Sequence, residues 1–513
     1  MTALITPRRR QLHARPEHPP AVWPGIVGGR YKPLTQAECE RIHRTVLDVM
    51  ETIGFGDATP SLRTIVTAAG GWSSDDGRLH FPRGLVEDIL ARAARSFVMP
   101  GQDPRHDMEV GGRRVHTGTG GAAPMIVDFQ TGRYRETTTA DLFDIARLVD
   151  TLDNIHFFWR TIVARDNPTW LDVDLNTTYA SMHGTTKHIG VSYSSGESVR
   201  TAVAMMDMAL GGEGAFRVRP FCSISCCHVV PPLRFGADAV DALEAATRAG
   251  MGLTLLSAAQ AGATSPAALA GTIVQAMAES LAGLVFVRLI DPACRANLGT
   301  WPFVSDLRTG AMSAGGAEQG LLSAGCAQMA DFYGIPGSTA SGMTDAKIPD
   351  AQSGAEKAYT LTLAAQAGST LIMESAGMHA SLLGTAFESY VIDNDMLGAI
   401  QRTVRGIEVT DETLSFEVIR GVVHGDGHFL GDQQTLERME TDYVYPAVAD
   451  RSTPNAWEED GSRDVRERAR DRVVEVMRSH FPDHIDDAVD ERIRSAFKIS
   501  LPRAAMRPGN DRW

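Results

Sequence analysis

Residues 334–379 read GIPGSTASGMTDAKIPDAQSGAEKAYTLTLAAQAGSTLIMESAGMH. The small-residue run 338–343 has the character of a short strand. A polar turn follows, Thr344-Asp345-Ala346-Lys347-Ile348-Pro349-Asp350. The Ala-rich run 351–367 reads as a helix, and 370–376 as a second apolar strand. In a parallel sheet such a unit puts its loop at the carboxyl end of the strands, where α/β enzymes keep their chemistry. Asp345, Lys347 and Asp350 lie in that loop and are candidate catalytic residues. The plain structural alternative is a turn and a helix cap: Asp350 can cap the helix, and Pro349 restricts the residue before it.

The same alternation extends outward. Strands are predicted at 115–119, 157–163, 188–194, 220–226, 252–258, 295–300, 338–343 and 370–376. Helices are predicted at 139–152, 170–184, 196–210, 234–248, 266–289, 315–333, 351–367 and 383–402. Eight strands each followed by a helix predict an α/β protein, a (β/α)8 TIM barrel over 113–405. A doubly wound sheet is the structural alternative. Residues 1–33, rich in Pro and Arg, read as a flexible N-terminal arm. Residues 34–112 form an N-terminal helical extension with helices at 34–55, 61–69 and 84–95. In the first, Ile42, Val46, Val49 and Ile53 recur at helical spacing, and Thr35 with Glu38 fits a capping box. Residues 406–513 are a C-terminal helical extension, with helices at 411–423, 462–479 and 486–497.

Composition excludes several partners. Across 513 residues, 49 basic and 63 acidic side chains give a net charge of −14. A nucleic-acid ligand wants the opposite balance. No apolar run in the sequence approaches the roughly 20 residues of a membrane span, and the N-terminus lacks a secretory core. Six cysteines without framework spacing fit a reducing compartment, so a cytoplasmic protein is expected.

Other clusters carry a chemical reading. Cys222, Cys226, Cys227 and His228 contain metal-ligand types, but on a strand Cys222 and Cys226 share a face with Ile224 while Cys227 points the other way. No metal is expected there. His228 lies where its strand should end and could line the barrel mouth. His424, Asp426 and His428 are broken up by glycines and read as a loop. His183 and His188 read as structural. Gly120 and Gly121 follow the first strand and would allow something large and flat to approach the backbone. The loop Trp301-Pro-Phe303-Val-Ser-Asp306-Leu-Arg308 gathers two aromatics, a carboxylate and an arginine. Aromatic faces with a carboxylate suit a quaternary ammonium, and arginine suits a carboxylate. A betaine carries both groups. Trp159 could supply another wall. No nucleophile elbow, P-loop or metalloprotease motif appears.

Several ordered segments carry a family resemblance: Asp128-Phe-Gln-Thr-Gly132, Gly262-Ala-Thr-Ser-Pro266 with Leu269-Ala-Gly271, Asp306-Leu-Arg-Thr-Gly310, Thr344-Asp-Ala-Lys347 with Asp350-Ala-Gln-Ser-Gly354 and Glu356, and His428-Phe-Leu-Gly431 through Thr435-Leu-Glu437. From about residue 34 to 497 the chain resembles the trimethylamine methyltransferase family of corrinoid-protein Co-methyltransferases. The resemblance implies a (β/α)8 barrel that moves a methyl group from an amine to the cobalt of a separate corrinoid (cobalamin) protein. Members that use trimethylamine carry pyrrolysine; this chain has none, and is similar to the subgroup that includes glycine betaine methyltransferases. A quaternary ammonium already has a neutral amine as leaving group. Its site needs positioning, desolvation and cation stabilisation.

The expectation is therefore a quaternary amine substrate. Trp159, Trp301 and Phe303 enclose its head, and Arg308, oriented by Asp306, holds a carboxylate. Asp345, Lys347, Asp350, Gln352 and Glu356 shape the mouth where the corrinoid enters, and His228 or His379 faces the cobalt. A tertiary amine methyltransferase and a non-catalytic betaine-binding module are the alternatives. A homo-oligomer is compatible with such a barrel.

Overall fold

The computed structural model describes residues 26–29, 31–510 and 512–513. Most of the expected N-terminal arm lies outside them. The chain divides into two compact units. One contains residues 407–445, and the other residues 24–406 with 446–513.

The larger unit is a (β/α)8 barrel. Its strands are β1 (Arg114–Thr117), β2 (Phe158–Trp159), β3 (Ile189–Val191), β4 (Cys222–Cys226), β5 (Gly252–Ser257), β6 (Ala296–Thr300), β7 (Gly337–Ala340) and β8 (Leu371–Met373). Neighbours run in sequence order from β2 to β8, all parallel, and β8 pairs with β1. A parallel bridge between Gly118 and Phe157 joins β1 to β2. There the His156 amide donates to the Thr117 carbonyl at 2.7 Å, which closes the ring. The helices are α1 (Thr139–Asp150), α2 (Trp170–Gly184), α3 (Gly196–Ala209), α4 (Ala237–Ala249), α5 (Leu269–Ile290), α6 (Ala317–Tyr333), α7 (Ala351–Ala367) and α8 (Phe387–Arg405).

Alternation along the strands sorts side chains between helices and barrel interior. On β4, the Cys226 thiol reaches the Ala239 carbonyl of α4, so Ser223 and Ser225 point inward. Ser225 Oγ accepts from Trp159 Nε1 at 3.1 Å, and Ser223 Oγ bonds His188 Nε2 at 2.8 Å. Glycines make room for the aromatics. A Cβ on Gly190 would stand 1.8 Å from the Trp159 ring, and one on Gly118 2.0 Å from Phe157.

The expected strands are all present but shorter. β2 ends at Trp159 because the chain turns off into the mouth, where Ile162 bridges Ala123. α4 begins at Ala237, since Arg234–Phe235 pairs with Val229–Val230 in a small hairpin. α8 begins at Phe387, since Gly384–Thr385 joins a mouth sheet with Met125–Val127 and Met378–His379.

The helix Gln36–Asp48 carries the expected capping box. The hairpin Ser96–Met99 with Met108–Gly111 went unread in the sequence. It covers the strand starts, with the Pro100 carbonyl on His188 Nδ1 at 2.8 Å. α5 is long and apolar enough to cross a membrane by length and composition, contrary to the sequence reading, but its apolar side chains are buried in the barrel unit's core. The C-terminal helix Val465–Ser479 packs on α8, and Asp487–Ala496 on α3. In the smaller unit the helix begins at Phe416, not 411, because Thr410 and Thr413 close a turn through their hydroxyls. His424 ends that helix, and the glycines after it form a turn.

Candidate active site

The strand ends surround a bowl. Its floor is Trp159 and Trp301. Trp301 points inward because its Nε1 donates to Ser338 Oγ at 3.1 Å, and Ser338 lies on the interior face of β7. Arg160, Ser192 and Ala258 are partly open to solvent around the bowl. Cys227 continues the inward face of β4. It is the exposed cysteine of the chain; the other five are buried. Its thiol is solvent-open yet ringed by protein, and burial pushes its pKa up to about 11. The Arg160 guanidinium works against that rise, and the Glu374 and Glu279 carboxylates add to it. Among the described residues, no three His, Cys, Asp or Glu side chains gather as a metal site.

Glu374, just past β8, was read in the sequence as strand interior. Its backbone is left-handed, with φ at 61°, a conformation costly for a side chain. The residue is 2 % exposed, and Oε2 has no hydrogen-bond partner. Burial alone pushes its pKa up to about 8. Gly342 (φ 100°) and Gly120 make room for this turn. A Cβ on Gly342 would stand 2.8 Å from Ser375 Cα, and one on Gly120 3.0 Å from the Glu374 amide nitrogen. Arg160, half-buried just past the end of β2, also has an unpartnered buried atom, Nε. Burial pulls its pKa down, against the attraction of Asp174.

The residues singled out from sequence fall in different places. Asp345 accepts from Ser313 Oγ and the Ala314 amide, each at 2.7 Å. Glu356 accepts from the Asp345 amide at 2.8 Å and from Thr344 Oγ1 and Gln352 Nε2. Lys347 is exposed and donates to the Asp345 carbonyl. Asp350 caps α7 through the Ser353 amide at 2.9 Å. This group knits the β7–α7 loop together. Phe303 is buried in a three-stranded lip with Gln260–Ala261 and Met312–Ser313. Asp306 and Arg308 pair with each other at 2.8 Å. Arg308 is 89 % exposed in its side chain, and its partner's charge is already matched. Gly120 and Gly121 face Glu374 and Met378 closely, so their space admits this chain's own loop rather than a flat ligand.

Both histidines expected to face the cobalt are buried. His228 is buried, with Nε2 on the Glu279 carbonyl of α5 at 2.9 Å. His379 is buried with Nε2 on Ser389 Oγ of α8 at 2.5 Å. Lys357 and Asp393 form a buried pair at 2.6 Å. Asp393 also accepts the Gly377 amide at 2.8 Å, which anchors the loop after Glu374. A cleft of about 690 Å³ opens at the opposite face, by Arg113, Asp331 and Thr370. It lies at the strand starts, away from these groups, and Arg113 and Asp331 pair there at 2.9 Å.

A family model described as trimethylamine methyltransferase (MTTB) matches residues 6–500. The chain belongs to the trimethylamine methyltransferase family. It is a methyltransferase. A trimethylamine methyltransferase of Methanosarcina thermophila is 33% identical over 460 residues, covering 88% of this chain and 94% of the relative. One from Desulfitobacterium hafniense (strain DSM 10664 / DCB-2) is 30% identical over 463 residues, covering 90% and 92%. A glycine betaine methyltransferase of Desulfitobacterium hafniense (strain Y51) is 27% identical over 468 residues, covering 91% and 96%. The bowl lies at the strand ends where barrel enzymes of every chemistry act.

Proposed function

We propose that this family member moves a methyl group from a quaternary ammonium compound of the glycine betaine type to the Co(I) of a separate corrinoid protein. One observation carries the reading. The Glu374 carboxyl and the Arg160 guanidinium both act on the Cys227 thiol, at the strand ends that carry Trp159 and Trp301, and each has a buried polar atom without a partner. Buried polar groups left unpaired are costly, and a ligand carrying a cation and a carboxylate gives each a partner. A betaine has a cationic head for Glu374 and the indole faces and a carboxylate for the planar fork of Arg160. The carboxylates of the β7–α7 loop accept bonds from backbone amides, which agrees with a substrate whose leaving group is already a neutral amine.

The corrinoid fits the open side of the bowl. Small residues line part of that side: Ala258 is partly exposed and Ala122 is exposed. When presented there, Co(I) supplies the nucleophile that accepts the methyl group. This chain's part is to orient one N-methyl group outward, to exclude water from the floor and to hold the cation until the neutral amine leaves.

The test is a spectroscopic assay with Co(I) cobalamin and a panel of quaternary and tertiary methylamines. Methyl-Co(III) forming with a betaine and not with trimethylamine is the expected result. Methyl-Co(III) with trimethylamine alone overturns the substrate class. Silence with every amine, while calorimetry still detects betaine, overturns methyl transfer from this substrate class.

A further inference from the structure

Glu374 raises a question that the methyl-transfer reading does not answer. A carboxylate needs partners, and this one has none at Oε2. Among the described residues, no cation pairs with it. The β1 side offers Gly120 and the β7 side Gly342. The titratable group that shares its surroundings is the Cys227 thiol, from the end of β4. Arg160 acts on Cys227, whereas Glu374 is raised by burial. An ionised carboxylate in that setting would be desolvated and uncompensated.

We propose that Glu374 is the specificity-determining residue for the cationic head, neutral in the empty bowl and ionised once an ammonium sits against it, so that ligand entry expels one proton. The proposal rests on the quaternary ammonium reading above and adds a proton balance to it. The carboxyl O–H bond breaks, its electron pair stays on Glu374, and the proton leaves to solvent as the cation enters. Net charge in the bowl is then unchanged by binding. A carboxyl raised to about 8 is protonated in the free protein at pH 7, which is the state the exchange requires. A neutral ligand of the same shape gains nothing from this exchange. A permanent cation gains a buried counter-charge.

Cys227 provides a readout that needs no corrinoid. It is the solvent-open thiol of the chain, and Glu374 lies within its field. A methanethiosulfonate reagent forms a disulfide with it and releases methanesulfinate. The trimethylammonium-ethyl reagent carries the proposed cationic head, and the sulfonatoethyl reagent carries the opposite charge. The experiment measures labelling of Cys227 in the full chain by mass spectrometry, for wild type, E374Q and C227S. Tetramethylammonium binding is followed in parallel by calorimetry at pH 7 in two buffers of different ionisation heat.

The expected result has three parts. The cationic reagent outpaces the anionic one at least tenfold in wild type, after correction for their rates with a free thiol. E374Q brings that ratio near one while keeping a wild-type melting curve. Close to one proton is released per tetramethylammonium bound by wild type, and none by E374Q. Tetramethylammonium bound equally by both proteins without proton release overturns the role of Glu374 and leaves the quaternary ammonium reading standing. Absence of tetramethylammonium and betaine binding, with no charge preference at Cys227, overturns both.

Discussion

Gly120 and Glu374 are in contact across the seam between β1 and β8: a Cβ on Gly120 would stand 2.9 Å from Glu374 Cγ and 3.0 Å from its amide nitrogen. Neither atom can yield cheaply, because one is backbone and the other lies within the buried side chain. Replacing Gly120 by Ala therefore moves the Glu374 turn rather than one flexible tip. Methyl transfer is expected to fall at least tenfold, with a stability loss of about 1–3 kcal/mol for the overpacking. Assay of turnover beside a denaturant melt checks both. An unaltered rate would separate Glu374 from the reaction.

The two arginines exchange roles relative to the sequence reading. Arg308 is exposed and spent on Asp306, whereas Arg160 faces the bowl with Nε unpartnered. Arg308→Ala is expected to leave betaine affinity within twofold. Arg160→Ala is expected to weaken betaine at least tenfold and tetramethylammonium far less, since only the betaine has a carboxylate to lose. Calorimetry with the two ligands makes the comparison. Equal losses with Arg160→Ala would remove it from the carboxylate.

What the sequence revealed and what it hid have a common physical origin. Strand and helix identity followed from periodicity and caps, so the eight-fold repeat was legible, down to the Thr35–Glu38 capping box and Asp350 as the cap of α7. Strand ends were not, because where a β-run leaves the sheet depends on neighbours that local pattern does not encode. Trp159 was noticed for its type, while Arg160 beside it passed as strand. Glu374 was hidden in the same way, inside a run read as strand to 376. A lone carboxylate after an apolar barrel strand, followed by Ser375-Ala376-Gly377, was the available signal. Asp345, Lys347 and Glu356 drew attention by charge, yet their loop uses them to hold itself.

Lys357 and Asp393 meet at 2.6 Å, both buried, and Asp393 also holds the Gly377 amide. Lys357→Met leaves the carboxylate without its cation. Removing one partner of a buried pair costs about 3–5 kcal/mol, and that loss is the expected result in a denaturant melt. The double variant Lys357→Met with Asp393→Leu should recover part of it, because no stranded charge remains. A single variant as stable as wild type would show that water reaches this pair.

Asp150 ties the C-terminal extension to the barrel. It accepts from His480 Nε2 at 2.8 Å, from the Thr186 amide at 2.7 Å and from Thr185 Oγ1 at 2.8 Å. Burial alone would raise its pKa, but these bonds and the nearby Lys187 charge hold it well below the usual carboxylate range. The folded value is the lower one, so its stabilisation is present above the unfolded pKa of about 3.9 and is lost as pH falls below it. Asp150→Asn is expected to cost about 1–3 kcal/mol at pH 7 and to flatten the stability profile between roughly pH 5 and 2. Urea melts across that range measure the slope; parallel profiles for the two proteins would exclude Asp150 as its source.

Gly190 tests the floor of the bowl without touching a charged group. A Cβ there would stand 1.8 Å from Trp159 Cδ2 and 2.1 Å from Cε2, so Gly190→Ala and the present indole position exclude each other. The ring must tilt toward the bowl or the strand must part from β2, and either breaks the bond from Trp159 Nε1 to Ser225. The expected cost is about 1–3 kcal/mol, with Trp fluorescence shifted to the red as the indole meets water. Ligand affinity should fall with it, since the cation loses a ring face worth roughly 0.5–2 kcal/mol. Ser225→Ala is the companion variant: it removes the same hydrogen bond without crowding the ring. If the ring face is what the cation uses, Ser225→Ala keeps most of the affinity and Gly190→Ala does not. Equal affinities in both variants would place the cation away from Trp159.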